Sequence, residues 1–266
     1  MPRISVLIPS YKPEAYVEHC LESIEQQTLS KSLFTVYIAL NGPKEKFESF
    51  LTGLLGSYSF NFRYYYLPEP SVSSARNFLI DNSGEEFLTF IDDDDCITPN
   101  YLKSLLDVSD DDVLGVGNVF NFNTNPSERK ESYIGKAFLN VNDVENLNFK
   151  SRKFFSSACG KLIHRSMIDG VRFDNNLAVG EDSLFMAKIS RNVRAIRKVR
   201  TDACYLVFER KGSATRKEIN KIDEMNRIIY LLKAYCSMLL KKDYDKVFVL
   251  TRVAATLMHG RRLLRW

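Results

Sequence analysis

The sequence has few of the features that mark secreted or membrane-spanning proteins. Its five cysteines are odd in number, widely spaced and without a CxxC pair, which argues against a disulfide framework and against a zinc site. No run of 18 apolar residues occurs, and the apolar run near the N-terminus is short, so neither a transmembrane helix nor a signal peptide is predicted. We therefore expect a protein of the reducing cytoplasm that does not span a membrane.

The composition is that of a globular enzyme, with an uneven distribution of charge. The 266 residues are 45% hydrophobic and 26% charged, which suits one large domain, or one domain with an appendage. The net charge is +4, but residues 210–266 contain 14 Lys and Arg against 5 Asp and Glu, so this part carries +9 and the first 209 residues carry −5. No DNA- or RNA-binding motif accompanies the basic part, so we expect no nucleic-acid partner.

Strand-like and helix-like segments alternate along the first ninety residues. Apolar runs predict strands at 4–10, 34–42, 61–68 and 85–91, and apolar periodicity predicts helices over 12–27, with Pro13 in the first turn, and over 72–83. This order predicts a parallel α/β sheet with right-handed crossovers, which binds ligands beyond the carboxyl ends of its strands. The first strand-to-helix turn lacks a glycine-rich phosphate loop, which disfavours a nucleotidyltransferase.

Four consecutive aspartates, Asp92 to Asp95, follow the fourth predicted strand. Two adjacent carboxylates repel by about 1 kcal/mol even in water, and by more where water is excluded. Either a bound cation or full exposure to solvent would relieve that repulsion. The quartet is therefore a metal-binding motif or an exposed acidic turn.

Five motifs in order give the chain a family resemblance. "SVLIPSYK", "CLESIEQQ", "SSARN", "FIDDDD" and "VGEDSLF" together resemble the family 2 glycosyltransferases, over about residues 3–210. The resemblance implies an α/β GT-A fold, a nucleotide-binding sandwich with a mostly parallel central sheet, in a domain of residues 1–210. Residues 211–266 then form a basic helical C-terminal extension. It also implies transfer of a sugar from a nucleotide-diphosphate sugar, with inversion and with a divalent cation.

The resemblance assigns the aspartates to the metal. Asp92, Asp93 and Asp94 match the DxD-like motif, with Asp94 as the expected direct ligand of Mn²⁺ or Mg²⁺ and Asp92 facing the metal or the ribose. Hard divalent ions commonly take only one or two protein carboxylates, the rest of their ligands being phosphates and water. Asp95 is expected to hold water or to cap the helix after Pro99.

The resemblance also places the nucleotide over the first strands. Pro9, Ser10 and Tyr11 match the segment after the first strand, and Arg76 matches the arginine of the helix motif. Asn41 stands where the family has an acidic residue, so the nucleotide is left open, with a UDP-sugar favoured. Tyr11 either stacks on the base or packs, and Arg76 either contacts the nucleotide or is an exposed helix residue.

The acid pair of the family matches Glu181 and Asp182. The resemblance implies that Asp182 is the general base that deprotonates the acceptor hydroxyl, with Glu181 as the neighbouring alternative. On its own, an aspartate at a helix start is more often an N-cap. His164 is a further candidate base, in a segment where histidine usually packs or lies at the surface.

The C-terminal part offers several alternatives. Arg210, Lys211 and Arg216 either contact the diphosphate or form a solvated charge run, and six apolar residues form one helical seam expected to pack on the body: Ile222, Met225, Ile229, Leu232, Cys236 and Leu239. The last helix combines aliphatic residues with cations and an aromatic, a composition that suits either an anionic membrane surface or a second subunit: Arg252, Arg261, Arg262, Arg265 and Trp266.

Two functional interpretations follow. The first is an inverting glycosyltransferase that builds a surface polysaccharide or glycolipid on a glycan or lipid-linked acceptor, at the cytoplasmic face of a membrane. The second is a non-catalytic protein of the same fold that binds sugar nucleotides or acts as a membrane scaffold. The intact metal motif and acid pair favour the enzyme.

Overall fold

A computed structural model describes residues 4–210 and 220–263 of the chain. The strands within these ranges are β1 Ile4–Ser10, β2 Phe34–Asn41, β3 Phe62–Leu67, β4 Phe87–Phe90, β5 Cys96–Ile97, β6 Val113–Val116, β7 Asn118–Phe122, β8 Lys130–Glu131, β9 Val144–Asn146, β10 Lys161–His164, β11 Ala195–Lys198 and β12 Cys204–Phe208. The helices are α1 Tyr16–Glu25, α2 Glu45–Leu55, α3 Val72–Asp81, α4 Tyr101–Val108, α5 Tyr133–Leu139, α6 Arg165–Ile168, α7 Glu181–Ile189, α8 Lys221–Leu239 and α9 Lys246–Leu263.

The central sheet has eight strands in the order β3-β2-β1-β4-β10-β6-β11-β9. Its first four strands are parallel, with Val6 of β1 opposite both Val36 of β2 and Thr89 of β4. Every residue of β1 is buried, as an apolar strand covered on both faces requires. All four strands predicted in this region are present, and they bring Ser10, Asn41 and the aspartates to one edge of the sheet.

The first helix begins later than the sequence predicts. Lys12 has a φ of 50°, which is outside the helical range, and α1 begins only at Tyr16. Pro13 therefore lies in the preceding turn and not in the first turn of the helix. The apolar positions of the helix are as expected, since Val17, Cys20 and Leu21 are buried.

A second, four-stranded sheet has the order β5-β12-β7-β8. Strand β12 runs parallel to β7 and antiparallel to β5, so it passes beside the aspartate turn and delivers Arg210 to it. Asp95 accepts a hydrogen bond from the Phe208 amide of β12 (2.8 Å), whereas Asn100 is the N-cap residue of α4. The expectation that Asp95 caps this helix is therefore wrong: its carboxylate joins the two sheets.

The C-terminal helices pack against the body of the protein. Tyr235 of α8 and Phe248 of α9 are fully buried and belong to the same hydrophobic core as the central sheet. The buried side of α8 is Glu224, Ile228, Leu231, Tyr235 and Met238. The seam predicted from sequence is wrong by about one position, because Ile222 and Ile229 are exposed.

None of the helices in the described ranges combines the length and the apolar character that crossing a bilayer requires.

Candidate active site

The four aspartates alternate between the interior and a cavity. Asp93 and Asp95 are 7% and 4% exposed, so the quartet is not an exposed acidic turn. Asp93 accepts a hydrogen bond from the Ser10 hydroxyl (2.6 Å). Burial, together with the charges of its two neighbours, raises the pKa of Asp93 to about 7 despite that hydrogen bond. Asp92, Asp93 and Asp94 all border the cavity, but the side chains of Asp92 and Asp94 are the more accessible, at 39% and 16%.

Arg76 connects the aspartate turn with the acid pair. This residue of α3 is 4% exposed, so it is not the exposed helix arginine that the sequence left as an alternative. Its guanidinium donates to Asp92 (2.8 Å), Asp182 (2.5 Å) and Glu181 (3.3 Å). Residues distant in sequence thus converge on one buried cation.

The acid pair lies in the first turn of α7, immediately after Gly180. Gly180 has a φ of 90°, a left-handed conformation that glycine adopts without strain and that turns the chain sharply into the helix. Gly180, not Asp182, is the N-cap residue. Burial and the adjacent Asp182 charge raise the pKa of Glu181 to about 7, which favours its protonated form relative to an ordinary glutamate.

A loop that the sequence analysis did not assign orients Asp182. The amide of Ala158 and the hydroxyl of Ser157 donate to its second carboxylate oxygen at 3.2 Å and 3.3 Å. Beneath the loop, the buried Lys161 donates to the carbonyls of Ser157 (2.6 Å) and Cys159 (2.5 Å). The lysine within the apolar strand segment "GKLIH" could have indicated this support from sequence, since a buried lysine needs specific hydrogen-bond partners.

Arg210 closes the aspartate turn from the side of β12. Its Nε donates to Asp94 (2.6 Å), and its guanidinium lies 4.7 Å from the ring centroid of Tyr16. Burial and the charge of Asp92 raise the pKa of Asp94, while Arg210 opposes that shift. The two other basic residues predicted for this region, Lys211 and Arg216, lie outside the described residues.

The carboxylates on the cavity suit a hard divalent cation. Within the described residues no group of three or more His, Cys, Asp and Glu side chains has the geometry of a metal site. Asp92 and Asp94 nevertheless offer two carboxylates, which is the number that Mg²⁺ commonly takes from protein when phosphates and water complete its shell. Burial first, and then the negative charge of Asp92, raises the pKa of Asp94, and a bound cation would favour the ionised form of this carboxylate.

The residues expected near the nucleotide lie at the same edge of the sheet. Pro9, Tyr11 and Asn41 line the cavity, whereas Ser10 lies beneath it and bonds Asp93. The Asn41 amide donates to the Ser10 carbonyl (2.8 Å). Tyr11 is 46% exposed and packs over Gly42, where a Cβ would lie only 2.7 Å from the ring, and the Lys12 ammonium lies 5.2 Å from the centroid of the same ring.

His164 does not join this group. Its ring bonds Ser166 and Glu86 and packs edge-on to Phe87, and it is not among the residues that line the cavity. Its environment is that of a packing residue, which is the role the sequence favoured.

The cavity, of about 960 Å³, extends from the strand ends to the C-terminal helices. Its far wall was not foreseen from sequence and includes Arg152, Arg227, Leu231, Arg252 and His259. Arg252 was expected among the membrane-facing cations. It is only 6% exposed and donates to Ser183 and to the Tyr235 hydroxyl, so that assignment of Arg252 is wrong.

Comparisons with known proteins give consistent results. The family model described as "Glycosyl transferase family 2" matches residues 5–172. Glycosyltransferase GlyA of Streptococcus pneumoniae is 29% identical over 86% of this chain and 34% of its own length. The minor teichoic acid biosynthesis protein GgaB of Bacillus subtilis is 25% identical over 67% of this chain and 20% of its own length. The chain thus spans about a third or less of these two relatives.

Two solved structures are similar over nearly the whole chain. Staphylococcus aureus TarS 1–349 in complex with UDP-GlcNAc has a TM-score of 0.77 at 18% identity, over 96% of this chain and 71% of that one. The mannosyltransferase PcManGT of Pyrobaculum calidifontis, with GDP-Man and Mn²⁺, has a TM-score of 0.65 at 14% identity, over 99% of this chain and 74% of that one.

Proposed function

The chain belongs to glycosyl transferase family 2 and has the GT-A fold, and from this premise we propose that it transfers a sugar, with inversion, from a nucleotide-diphosphate sugar to a hydroxyl of a surface-glycan or lipid-linked acceptor. The observation that carries the proposal is the convergence of Asp92, Glu181 and Asp182 on the buried Arg76. This contact joins the donor end and the base end of one cavity.

A UDP-sugar is the proposed donor. The structurally similar TarS binds UDP-GlcNAc and UDP, which supports a uridine nucleotide, although PcManGT holds GDP-Man. The half-exposed Tyr11 and the cavity-lining Asn41 are placed to contact the base, and Pro9 borders the same space.

A divalent cation, Mn²⁺ or Mg²⁺, is proposed to be held by Asp94 and Asp92. When bound, such an ion neutralises the charge that develops on the departing diphosphate. Arg210 donates to one carboxylate oxygen of Asp94 in the described structure, and we propose that it leaves this oxygen when the cation binds. The freed guanidinium would then be available to a phosphate oxygen, as a planar donor of several hydrogen bonds.

Asp182 is proposed as the general base. An acceptor hydroxyl is a poor nucleophile unless its proton leaves as the new bond forms, and a carboxylate opposite the diphosphate can accept that proton. The contacts from Arg76, Ser157 and Ala158 fix the orientation of Asp182. Glu181 is the weaker candidate, because its side chain is held by Arg76 at 3.3 Å without the loop donors that orient Asp182.

The acceptor and the location follow from the relatives and from α9. Relatives named for teichoic acid and succinoglycan biosynthesis support a role in a surface polymer. The outer side of α9 exposes Val247, Leu250, Leu257 and Met258, which suits peripheral attachment at the inner face of a membrane or contact with a second copy of the chain.

A screen of UDP-, GDP-, CMP- and dTDP-sugars tests the function. We expect one class of sugar nucleotide to raise the melting temperature and to be slowly hydrolysed, with both effects enhanced by Mn²⁺. The Asp182→Asn variant is the matched control: it should keep the thermal shift and lose turnover. Absence of both binding and hydrolysis for all four classes would contradict the proposal.

A further inference from the structure

The far wall of the cavity contains a buried cation that the proposed chemistry does not use. Arg252 of α9 is 6% exposed and its Nε, which is fully buried, has no hydrogen-bond partner. Its remaining contacts are neutral: one terminal nitrogen donates to the Ser183 hydroxyl and to the Tyr235 hydroxyl (3.3 Å).

The Nε of Arg76, the other buried arginine of the cavity, likewise has no hydrogen-bond partner, but Arg252 differs from it in its counter-ions. Arg76 is surrounded by three carboxylates, whereas no carboxylate of the described residues lies within ion-pair distance of Arg252. A buried charge without a counter-ion is strongly unfavourable. The cavity, which Arg252 lines, is where an anion could approach it.

The position of Arg252 relates it to the acceptor and not to the donor. Its partner Ser183 directly follows Asp182, the proposed base, and both residues border the cavity. The donor-side residues Asp94 and Arg210 come from the other end, at the aspartate turn. An anion on Arg252 would therefore belong to the molecule whose hydroxyl Asp182 activates.

A second arginine supports the same ligand. Arg152, in the short 3-10 helix Ser151–Phe155, also lines the cavity and has no ion pair among the described residues. Its helix packs on α9 through Phe155 and Phe248, whose ring centroids are 4.9 Å apart. In contrast, the nearby Arg227 is already paired with Glu224.

His259 completes this comparison, because its ring also bonds Glu224. The charge on that part of the wall is thus compensated within the protein. Arg252 and Arg152 are the cavity arginines of the far wall that retain uncompensated charge in the described structure.

We propose that Arg252, assisted by Arg152, binds a phosphate group of the acceptor, so that the acceptor class is a phosphate-bearing alcohol. Two guanidinium groups from two elements suit the several oxygens of a phosphate, each offering a planar pair of donors. That the phosphate belongs to the acceptor rests on the proposed function. The phosphate site itself does not, because it can be measured by binding alone.

The test is a calorimetric titration with glycerol 3-phosphate as the probe, with glycerol and glycerate as matched compounds, in the presence of UDP to occupy the donor end. We expect glycerol 3-phosphate to bind at least about tenfold more tightly than either control compound. Arg252→Gln should weaken this binding by about tenfold or more, and Arg252→Lys by less. Arg261→Gln, an exposed arginine on the same helix, should leave it unchanged.

Two results would overturn the proposal. One is binding of glycerol 3-phosphate to the wild-type protein no tighter than that of glycerol or glycerate, together with equal binding to vesicles with and without phosphatidic acid. The other is wild-type affinity of Arg252→Gln for both glycerol 3-phosphate and phosphatidic acid vesicles. Failure of UDP to bind would contradict the proposed donor instead, since the Arg252 dependence is read separately.

A parallel arm identifies where the phosphate comes from. Vesicles of phosphatidylcholine with and without phosphatidic acid present the same phosphate on a lipid. Arg252-dependent binding of glycerol 3-phosphate assigns a phosphate presented in solution. If binding depends on Arg252 only for vesicles that contain phosphatidic acid, the phosphate is carried by a lipid. If binding depends on Arg252 in neither experiment, the proposal is wrong.

Discussion

At the scale of single residues, the site is organised by charge balance. Arg76 is buried among Asp92, Glu181 and Asp182, so one positive charge faces three carboxyl groups. The resulting negative excess favours protonation of Glu181 and binding of a cation near Asp92. The same balance explains why the two acidic motifs of the sequence, 90 residues apart, act on a single cavity.

Replacing Asp182 with asparagine should remove the base while keeping the shape of the side chain. We expect transfer to fall by about two to four orders of magnitude, the usual contribution of general-base catalysis, while UDP binding survives. Glu181→Gln should have a smaller effect. Steady-state kinetics and calorimetry of both variants check this, and near wild-type transfer by Asp182→Asn would transfer the role to Glu181.

Replacing Asp94 with alanine should abolish the cation dependence of nucleotide binding. We expect UDP-sugar affinity in Mn²⁺ to fall at least about tenfold, to the level that the wild type has in EDTA, since a metal-carboxylate ligand is lost. Calorimetry with and without EDTA measures this, with the exposed, distant Asp112→Ala as control. If the wild type binds equally well in EDTA, the metal proposal fails.

Because of the buried Lys161, the free energy of unfolding should depend on pH. Burial lowers the pKa of Lys161 from 10.5 to about 8. Between these values the unfolded chain binds more protons at this residue than the folded one, so the contribution of Lys161 to the free energy of unfolding increases with pH. Below pH 8 both states are protonated and the full cost of burying the charge remains.

The variant Lys161→Met should remove that slope. We expect the stability of the wild type relative to the variant to rise by about 1 to 2 kcal/mol between pH 8 and pH 9.5, measured by urea unfolding at each pH. The loop Ser157–Cys159 would also lose its support, so kcat should fall. A pH-independent difference in stability would mean that Lys161 is not buried in its charged form.

The sequence revealed the acidic residues of the site better than the residues that position them. Asp92, Asp94, Glu181 and Asp182 could be found because a recurring motif carries them. Ser157 positions Asp182 through its hydroxyl, and Lys161 supports the loop through two backbone carbonyls. No short sequence pattern encodes such contacts. Arg252 was wrongly expected at the outer surface, because the composition of its helix, basic and apolar, does not show which side of the helix is buried.

At the scale of elements, the strands were easier to predict than the helix surfaces. Strands β1, β2 and β4 are largely apolar and buried on both faces, so a wrong register would expose them, whereas the edge strand β3 is only partly buried. On α8 the apolar residues lie on more than one side, and the buried side includes Glu224, which pairs with Arg227 and His259. A count of apolar spacing could not identify that side, because tertiary contacts such as that of Glu224 with His259 of α9 help to decide it.

The exposed apolar side of α9 should mediate attachment to anionic lipid. The triple variant Val247→Ser, Leu250→Ser and Leu257→Ser removes aliphatic side chains that are each more than half exposed. We expect it to pellet with anionic liposomes several-fold less than the wild type, because burial of apolar area strengthens interfacial binding. The control is Leu139→Ser, which alters an equally exposed leucine on α5.

Salt distinguishes the two uses of this surface. Attachment to anionic lipid should weaken as salt screens the basic C-terminal part. Equal pelleting of the triple variant and the wild type, or pelleting independent of anionic lipid, would count against the membrane. A change from dimer to monomer in sedimentation would assign the surface to a second copy instead.

At the scale of the whole molecule, the basic extension is part of the catalytic body in its packing. Its helices supply one wall of the cavity and share the hydrophobic core with the central sheet. Apolar contacts therefore hold together two parts of opposite net charge, −5 and +9. The cavity lies at their boundary. The division into domains at residue 210 remains a prediction, and it has a direct test.

Removal of residues 211–266 should destabilise the entire protein. Leu231, Tyr235, Met238, Phe248 and Val249 are at most 4% exposed. At about 1.5 to 3 kcal/mol for each buried apolar side chain, these five contribute about 8 to 15 kcal/mol, as much as the total stability of a typical domain.

We expect the truncated chain to aggregate or to lack a cooperative melt in calorimetry. The Leu250→Ser variant, changed at an exposed position of α9, should melt like the wild type. A truncated chain that melts cooperatively near the wild-type temperature would show that residues 1–210 fold as an independent domain, and α8 and α9 would then serve the cavity wall and not the stability of the fold.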